Sequence, residues 1–123
     1  PFQALKTRHN TYLRTRSGLN QELITQNINQ TEEKFLLIDL GDNYCLMVNN
    51  LIFNVSARPD GTFRTVSSSD SYEIFRKEYI SGSTTVFALK TWRGTYVTAP
   101  PGVGSTVHHN TNVIGPWEEF QVV

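Results

Sequence analysis

A chain of 123 residues has the length of one domain and can bury a core, but it is short for two. Eleven basic and eleven acidic residues cancel to zero net charge, so no global field draws the chain to nucleic acid or an anionic lipid surface, and neither partner is expected. No run approaches the roughly eighteen apolar residues of a membrane-spanning helix, so membrane insertion is not expected either.

Along the chain, short runs rich in β-branched and aromatic residues recur about every ten positions, divided by Gly, Asn, Asp, Ser and Pro. Strands are predicted near 2–7, 11–15, 22–26, 33–39, 44–48, 51–56, 62–66, 72–78, 84–91, 95–99, 105–109 and 117–122. The connectors carry turn chemistry, as in Leu40-Gly41-Asp42-Asn43, Arg58-Pro59-Asp60-Gly61 and Trp92-Arg93-Gly94. Helical periodicity is weak throughout, and 17–30 is the one stretch that could hold a helical turn.

The two ends of the chain are versions of one another. Ala4-Leu5-Lys6-Thr7 falls on Ala88-Leu89-Lys90-Thr91, and Thr11-Tyr12 then falls on Thr95-Tyr96 without a gap. One residue of slack brings Glu32-Glu33-Lys34-Phe35 onto Trp117-Glu118-Glu119-Phe120. A weaker copy lies between them, running from Tyr44-Cys45-Leu46-Met47 through Leu51-Ile52-Phe53-Asn54-Val55 to Tyr72-Glu73-Ile74-Phe75, with its register set only to about one residue. A period of roughly 40 residues marks units that bury their apolar faces only against their siblings. Three units, about 1–43, 44–83 and 84–123, with four strands each, predict a single all-β domain of β-trefoil architecture. Such a fold closes a barrel and so hides its sheet edges. The rival architecture is an immunoglobulin-like sandwich, which predicts no threefold similarity and lacks its usual Cys and Trp landmarks here.

The third unit resembles the fascin-like β-trefoil pattern. Phe87-Ala88-Leu89-Lys90-Thr91 leads to Gly94-Thr95-Tyr96-Val97, and the unit closes on Trp117-Glu118-Glu119-Phe120. Pro59-Asp60-Gly61-Thr62-Phe63 is also similar to a turn found in trefoils of the fibroblast growth factor type. The resemblance implies the fold, and by analogy a choice among actin-bundling proteins, accessory modules of polysaccharide-acting enzymes, lectins, cytokines and protease inhibitors. The Gln-x-Trp closure of ricin-type lectins is missing, and so is the basic cluster of a heparin-binding growth factor.

Trp92 breaks the repeat at a loop tip, where the first unit has Arg8 and the second has Asn49 or its neighbour. A flat indole there can stack on a sugar ring or bury in a partner. Arg93, His108, His109 and Asn110 in the same unit, and His9 and Asn10 at the matching tip of the first, could supply hydrogen bonds beside it. His108 and His109 are neighbours on a strand and face opposite ways, so no metal site and no cofactor are expected. Trp117, Phe35, Phe75 and Phe120 are repeat-related and predicted to be core. Glu32-Glu33 and Glu118-Glu119 hold matching places, which favours a structural role at a strand start over paired catalytic carboxylates. The lone Cys45 excludes an intramolecular disulfide and is read as a buried hydrophobe, which tilts the compartment towards the cytoplasm without deciding it.

A non-catalytic, carbohydrate-binding module is therefore expected, with Trp92 as platform. An actin-binding module is the alternative, and cross-linking filaments would then require two sites or a homodimer. A protease inhibitor presenting Pro100-Pro101-Gly102-Val103 is the third reading.

Overall fold

The computed structural model describes residues 1–123. Its strands are β1 (Leu5–Lys6), β2 (Tyr12–Thr15), β3 (Leu23–Gln26) and β4 (Leu36–Gly41) in the first repeat, and β5 (Tyr44–Val48), β6 (Asn54–Ala57), β7 (Phe63–Val66) and β8 (Ile74–Tyr79) in the second. The third repeat holds β9 (Val86–Lys90), β10 (Tyr96–Thr98), β11 (His108–Thr111) and β12 (Phe120–Val122). Period-two burial places them: β2, β3 and β7 each bury every second side chain, as a sheet with one face on the core requires.

The first and last strands of each repeat form a barrel in the order β1-β12-β9-β8-β5-β4. It closes where Gln3 and Phe35 exchange backbone hydrogen bonds of 2.8 Å in both directions. The hairpins β2–β3, β6–β7 and β10–β11 cover one end and bond to each other in a triangle. Asn20 N–H donates to Thr65 O (2.8 Å), Thr25 N–H to Ser105 O (3.0 Å) and His109 N–H to Gly61 O (2.9 Å). This is a β-trefoil, and its closed barrel rules out the sandwich.

The core is built in threefold layers. Leu5, Met47 and Leu89 form one, Leu13, Val55 and Val97 a second, Leu23, Phe63 and Val107 a third, and Phe35, Phe75 and Phe120 a fourth, and no member is more than 2% exposed. Cys45 lies in the same cluster, and burial pushes its thiol up to about 11, so it stays protonated.

Each repeat also buries one carboxylate. Glu33, Glu73 and Glu118 end single 3-10 turns at Thr31–Glu33, Ser71–Glu73 and Pro116–Glu118. Each reaches back to the backbone N–H that opens its turn, of Gln30, Asp70 or Gly115, at 2.7 Å. The second oxygen faces Arg14 at 3.3 Å, the Ser56 hydroxyl at 2.5 Å or the Thr98 hydroxyl at 2.7 Å, and those three residues hold equivalent positions on β2, β6 and β10. Burying this polar side chain is tolerated because both of its oxygens have partners.

Two expectations are corrected. Trp117 is not core but 44% exposed, because the 3-10 turn places Glu118 inward and the residue before it outward. The stretch 17–30 holds no helical turn and contains β3, while the turns come just before β4, β8 and β12. Asn54, part of a nominal glycosylation sequon, is buried with its amide donated to Ser68 O at 2.7 Å.

Candidate functional site

Strand register sets a row of side chains across the outside of the barrel where the second repeat meets the third. Tyr44 on β5 stands opposite Arg76 on β8, Arg76 opposite Lys90 on β9, and Lys90 opposite Tyr96 on β10. Each cation lies over the neighbouring ring, Arg76 at 5.6 Å from the Tyr44 centroid and Lys90 at 5.9 Å from that of Tyr96. Tyr44, Arg76 and Lys90 of this row line an open groove of about 500 Å³ together with Ser71, Ile74, Trp92 and Arg93.

Trp92 is the groove's fixed wall. Its indole N–H donates to Ala57 O at 2.7 Å, and its ring stacks on Tyr72 at a centroid distance of 4.6 Å and an interplanar angle of 19°. It nevertheless stays 39% exposed. The β9–β10 turn that carries it is set by the Thr91 and Thr95 hydroxyls, bonded at 2.7 Å, and by Gly94 at φ +83°. The same positions hold Thr7, Thr11 and Asn10 in the first repeat and Asn49, Phe53 and Ile52 in the second. The residue matching Trp92 in the second repeat is accordingly Asn50, the neighbour of Asn49.

Electrostatically the groove is cationic. Arg76, Lys90 and Arg93 line it and no carboxylate does. Glu78 is the nearest counter-charge, with Oε2 at 3.9 Å from Lys90 Nζ and Oε1 accepting from the Tyr96 hydroxyl at 2.7 Å. Burial, helped by that carboxylate, pushes the Tyr96 phenol up to about 12 and keeps it a donor.

Of the other expected site residues, Arg93 lines the same groove as Trp92, while His108, His109, Asn110, His9 and Asn10 do not. Arg93 donates to Pro59 O, and the Asn110 side chain fills the space over Gly61. His109 is corrected outright: it is fully buried, with Nδ1 paired to the Thr95 hydroxyl at 2.8 Å and Nε2 to Arg58 O at 2.8 Å. Burial holds its pKa below 6.5, and it is an internal tie to the Arg58–Gly61 turn rather than a ligand group. His108 is half-buried on the opposite face of β11. His9 and Asn10 lie at the boundary of the third and first repeats, where the His9 ring meets Trp117 edge-on at 6.0 Å. No three His, Cys, Asp or Glu side chains are grouped so as to hold a metal ion.

Tyr44, Tyr72, Arg76 and Lys90 were missed. Their signal was present as unequal residues at equal repeat positions, but it needs the register of β5, β8 and β9 to be read as one surface.

No protein-family model and no curated protein matches the sequence. Solved structures do match in shape. A designed threefold-symmetric protein, ThreeFoil, superposes with a TM-score of 0.85 at 17% identity, over 99% of this chain and 97% of that one. Cry35Ab1 gives 0.78 at 13% identity over 99% of this chain, and a mosquitocidal holotoxin 0.86 at 8% over 99%. The chain spans only 35% of the length of Cry35Ab1 and 17% of that of the holotoxin. These likenesses establish the fold.

Proposed function

We propose that this β-trefoil is a non-catalytic binding module whose groove between the second and third repeats takes carbohydrate. The observation that carries the reading is Trp92, a half-exposed indole pinned by Ala57 O and Tyr72. A platform already fixed loses little conformational freedom when a sugar ring stacks on it. The groove lining contains hydroxyls and cations but no carboxylate pair and no nucleophile with a base beside it, so it binds without an evident means of bond cleavage.

The fascin-like features do not favour actin over sugar. Glu118 caps its own turn, and Phe120 and Leu89 fill the core, so the residues carrying that resemblance are accounted for by the fold. A glycan array followed by calorimetry tests the proposal. Trp92→Ala should weaken binding by about 30-fold, the loss of roughly 2 kcal/mol expected for a central aromatic contact, while Trp92→Phe, which keeps a stacking ring, should retain most of it. Absence of glycan binding, or binding indifferent to Trp92→Ala, overturns the reading.

A further inference from the structure

The row Tyr44–Arg76–Lys90–Tyr96 has two pseudo-symmetric counterparts, and comparing the three isolates an anomaly. Between the first and second repeats the same positions hold Phe2, Leu36, Val48 and Asn54, with Leu36 opposite Val48 and Val48 opposite Asn54. Between the third and first they hold Val86, Gln121, Lys6 and Tyr12, with Gln121 opposite both Val86 and Lys6, and Lys6 opposite Tyr12. One row is uncharged and one carries a single cation. Only the row below Trp92 sets two cations directly opposite each other.

Like charges facing across a sheet are destabilising, and the surroundings relieve this pair only in part. Lys90 has Glu78 at 3.9 Å, and that carboxylate is shared with the Tyr96 hydroxyl. Arg76 makes no ion pair at all and is exposed. Arg93 adds a third positive charge at the rim, its guanidinium bonded only to the uncharged Pro59 carbonyl. The fold does not need this arrangement, since the other two boundaries close the same barrel without it.

We infer that the groove selects an acidic saccharide, one whose carboxylate or sulfate bridges Arg76 and Lys90 while its ring lies against Trp92. This rests on the carbohydrate reading of the same groove and adds the charge of the ligand to it. An anion between the two cations replaces a repulsion with charge-assisted hydrogen bonds, and the planar guanidinium suits a carboxylate or sulfate edge-on. Net neutrality of the chain is no objection, because the relevant field is that of the groove.

The test uses the full chain on an array of neutral, uronate-bearing, sialic-acid-bearing and sulfated glycans, with a six-residue oligothymidylate as a non-sugar polyanion. Calorimetry then compares the best acidic glycan with its neutral parent. The acidic member should bind at least about ten-fold tighter at low salt, an advantage equivalent to one charge-assisted contact. Salt should erode that advantage. Arg76→Gln and Lys90→Gln, both at exposed or half-exposed positions that leave the core intact, should each reduce affinity for the acidic glycan by a larger factor than for its neutral parent, narrowing the gap between the two. Equal binding of neutral and acidic glycans, still lost in Trp92→Ala, overturns the charge inference and leaves the carbohydrate reading standing. Tighter binding of the oligothymidylate than of any glycan, or no glycan binding at all, overturns both.

Discussion

The groove between the second and third repeats and its counterpart between the third and first share a backbone and little else. In the former, Tyr72 from the 3-10 turn stacks on Trp92 from the facing turn above a pair of cations. In the latter, Trp117 takes the place of Tyr72 and meets His9, while Arg8, which replaces Trp92, pairs with Glu119 at 3.6 Å. The 3-10 turn thus keeps an aromatic at both boundaries, while the facing turn exchanges the Trp92 indole for an arginine paired with a carboxylate. The remaining boundary holds Glu32 and Asn50 at these places, with the Arg14 guanidinium holding the Glu32 carboxyl below its ordinary range. Threefold geometry fixes what lies inside each boundary and leaves the outside free, so a difference between repeats marks where something other than folding has chosen the residue.

The largest effects should fall on the shared interior. Phe35→Ala, Phe75→Ala and Phe120→Ala each empty one third of the same layer and should each cost about 3–5 kcal/mol, read by urea unfolding. Similar costs would sharpen the comparison, and one value far below the others would break it by showing that the layers are not equivalent. The buried carboxylates come next. Glu73→Ala and Glu118→Ala each orphan a turn-opening N–H and a hydroxyl, for about 1–3 kcal/mol. Glu33→Ala should sit at the low end of that range, because Arg14 keeps Glu32 as a partner.

The interior was legible from the sequence because repetition and period-two burial both act on it. Ala4-Leu5-Lys6-Thr7 aligns with Ala88-Leu89-Lys90-Thr91 since the barrel demands a leucine inward at both places. Glu118 could be assigned to structure because Glu33 matched it. Trp117 was misread by the same logic: its neighbours repeat, but its own position alternates Glu32, Tyr72 and Trp117 and points outward. The site was half legible. Trp92 stood out as a break in the repeat, whereas Arg76 and Lys90 are ordinary surface cations until β8 and β9 are paired. His109 resembled a ligand group because nothing in a strand of polar residues shows which face is buried.

A pH experiment separates that buried histidine from the exposed surface. Burial lowers the His109 pKa in the folded chain below the 6.5 of an unfolded one, so the unfolded state takes up a proton first as pH falls. The stability linked to His109 is complete above about 6.5 and is lost as pH drops from there towards the folded value. Thermal unfolding at pH 7.5 and 5.5 should therefore show a drop that His109→Gln diminishes and His108→Gln, on the outward face of β11, leaves in place. An equal change in the two variants would contradict the placement of His109 as the tie between β11 and the Arg58–Gly61 turn.

The smallest effect belongs to the turns that precede the hairpin strands. All three place one residue in the left-handed region, Asn10 at φ 58°, Ile52 at 66° and Gly94 at 83°. Glycine and asparagine adopt that conformation readily, but a β-branched side chain does so against steric resistance of about 1–2 kcal/mol. Ile52 is 61% exposed and gains little from burial in return. Ile52→Asn, which copies the first repeat, should raise stability by about 1 kcal/mol, and Ile52→Gly by somewhat less because glycine also loosens the unfolded chain. Denaturant midpoints measure both. If neither variant gains, the exposed isoleucine is held by contacts that offset its strain, and the second turn differs from its siblings in more than residue type.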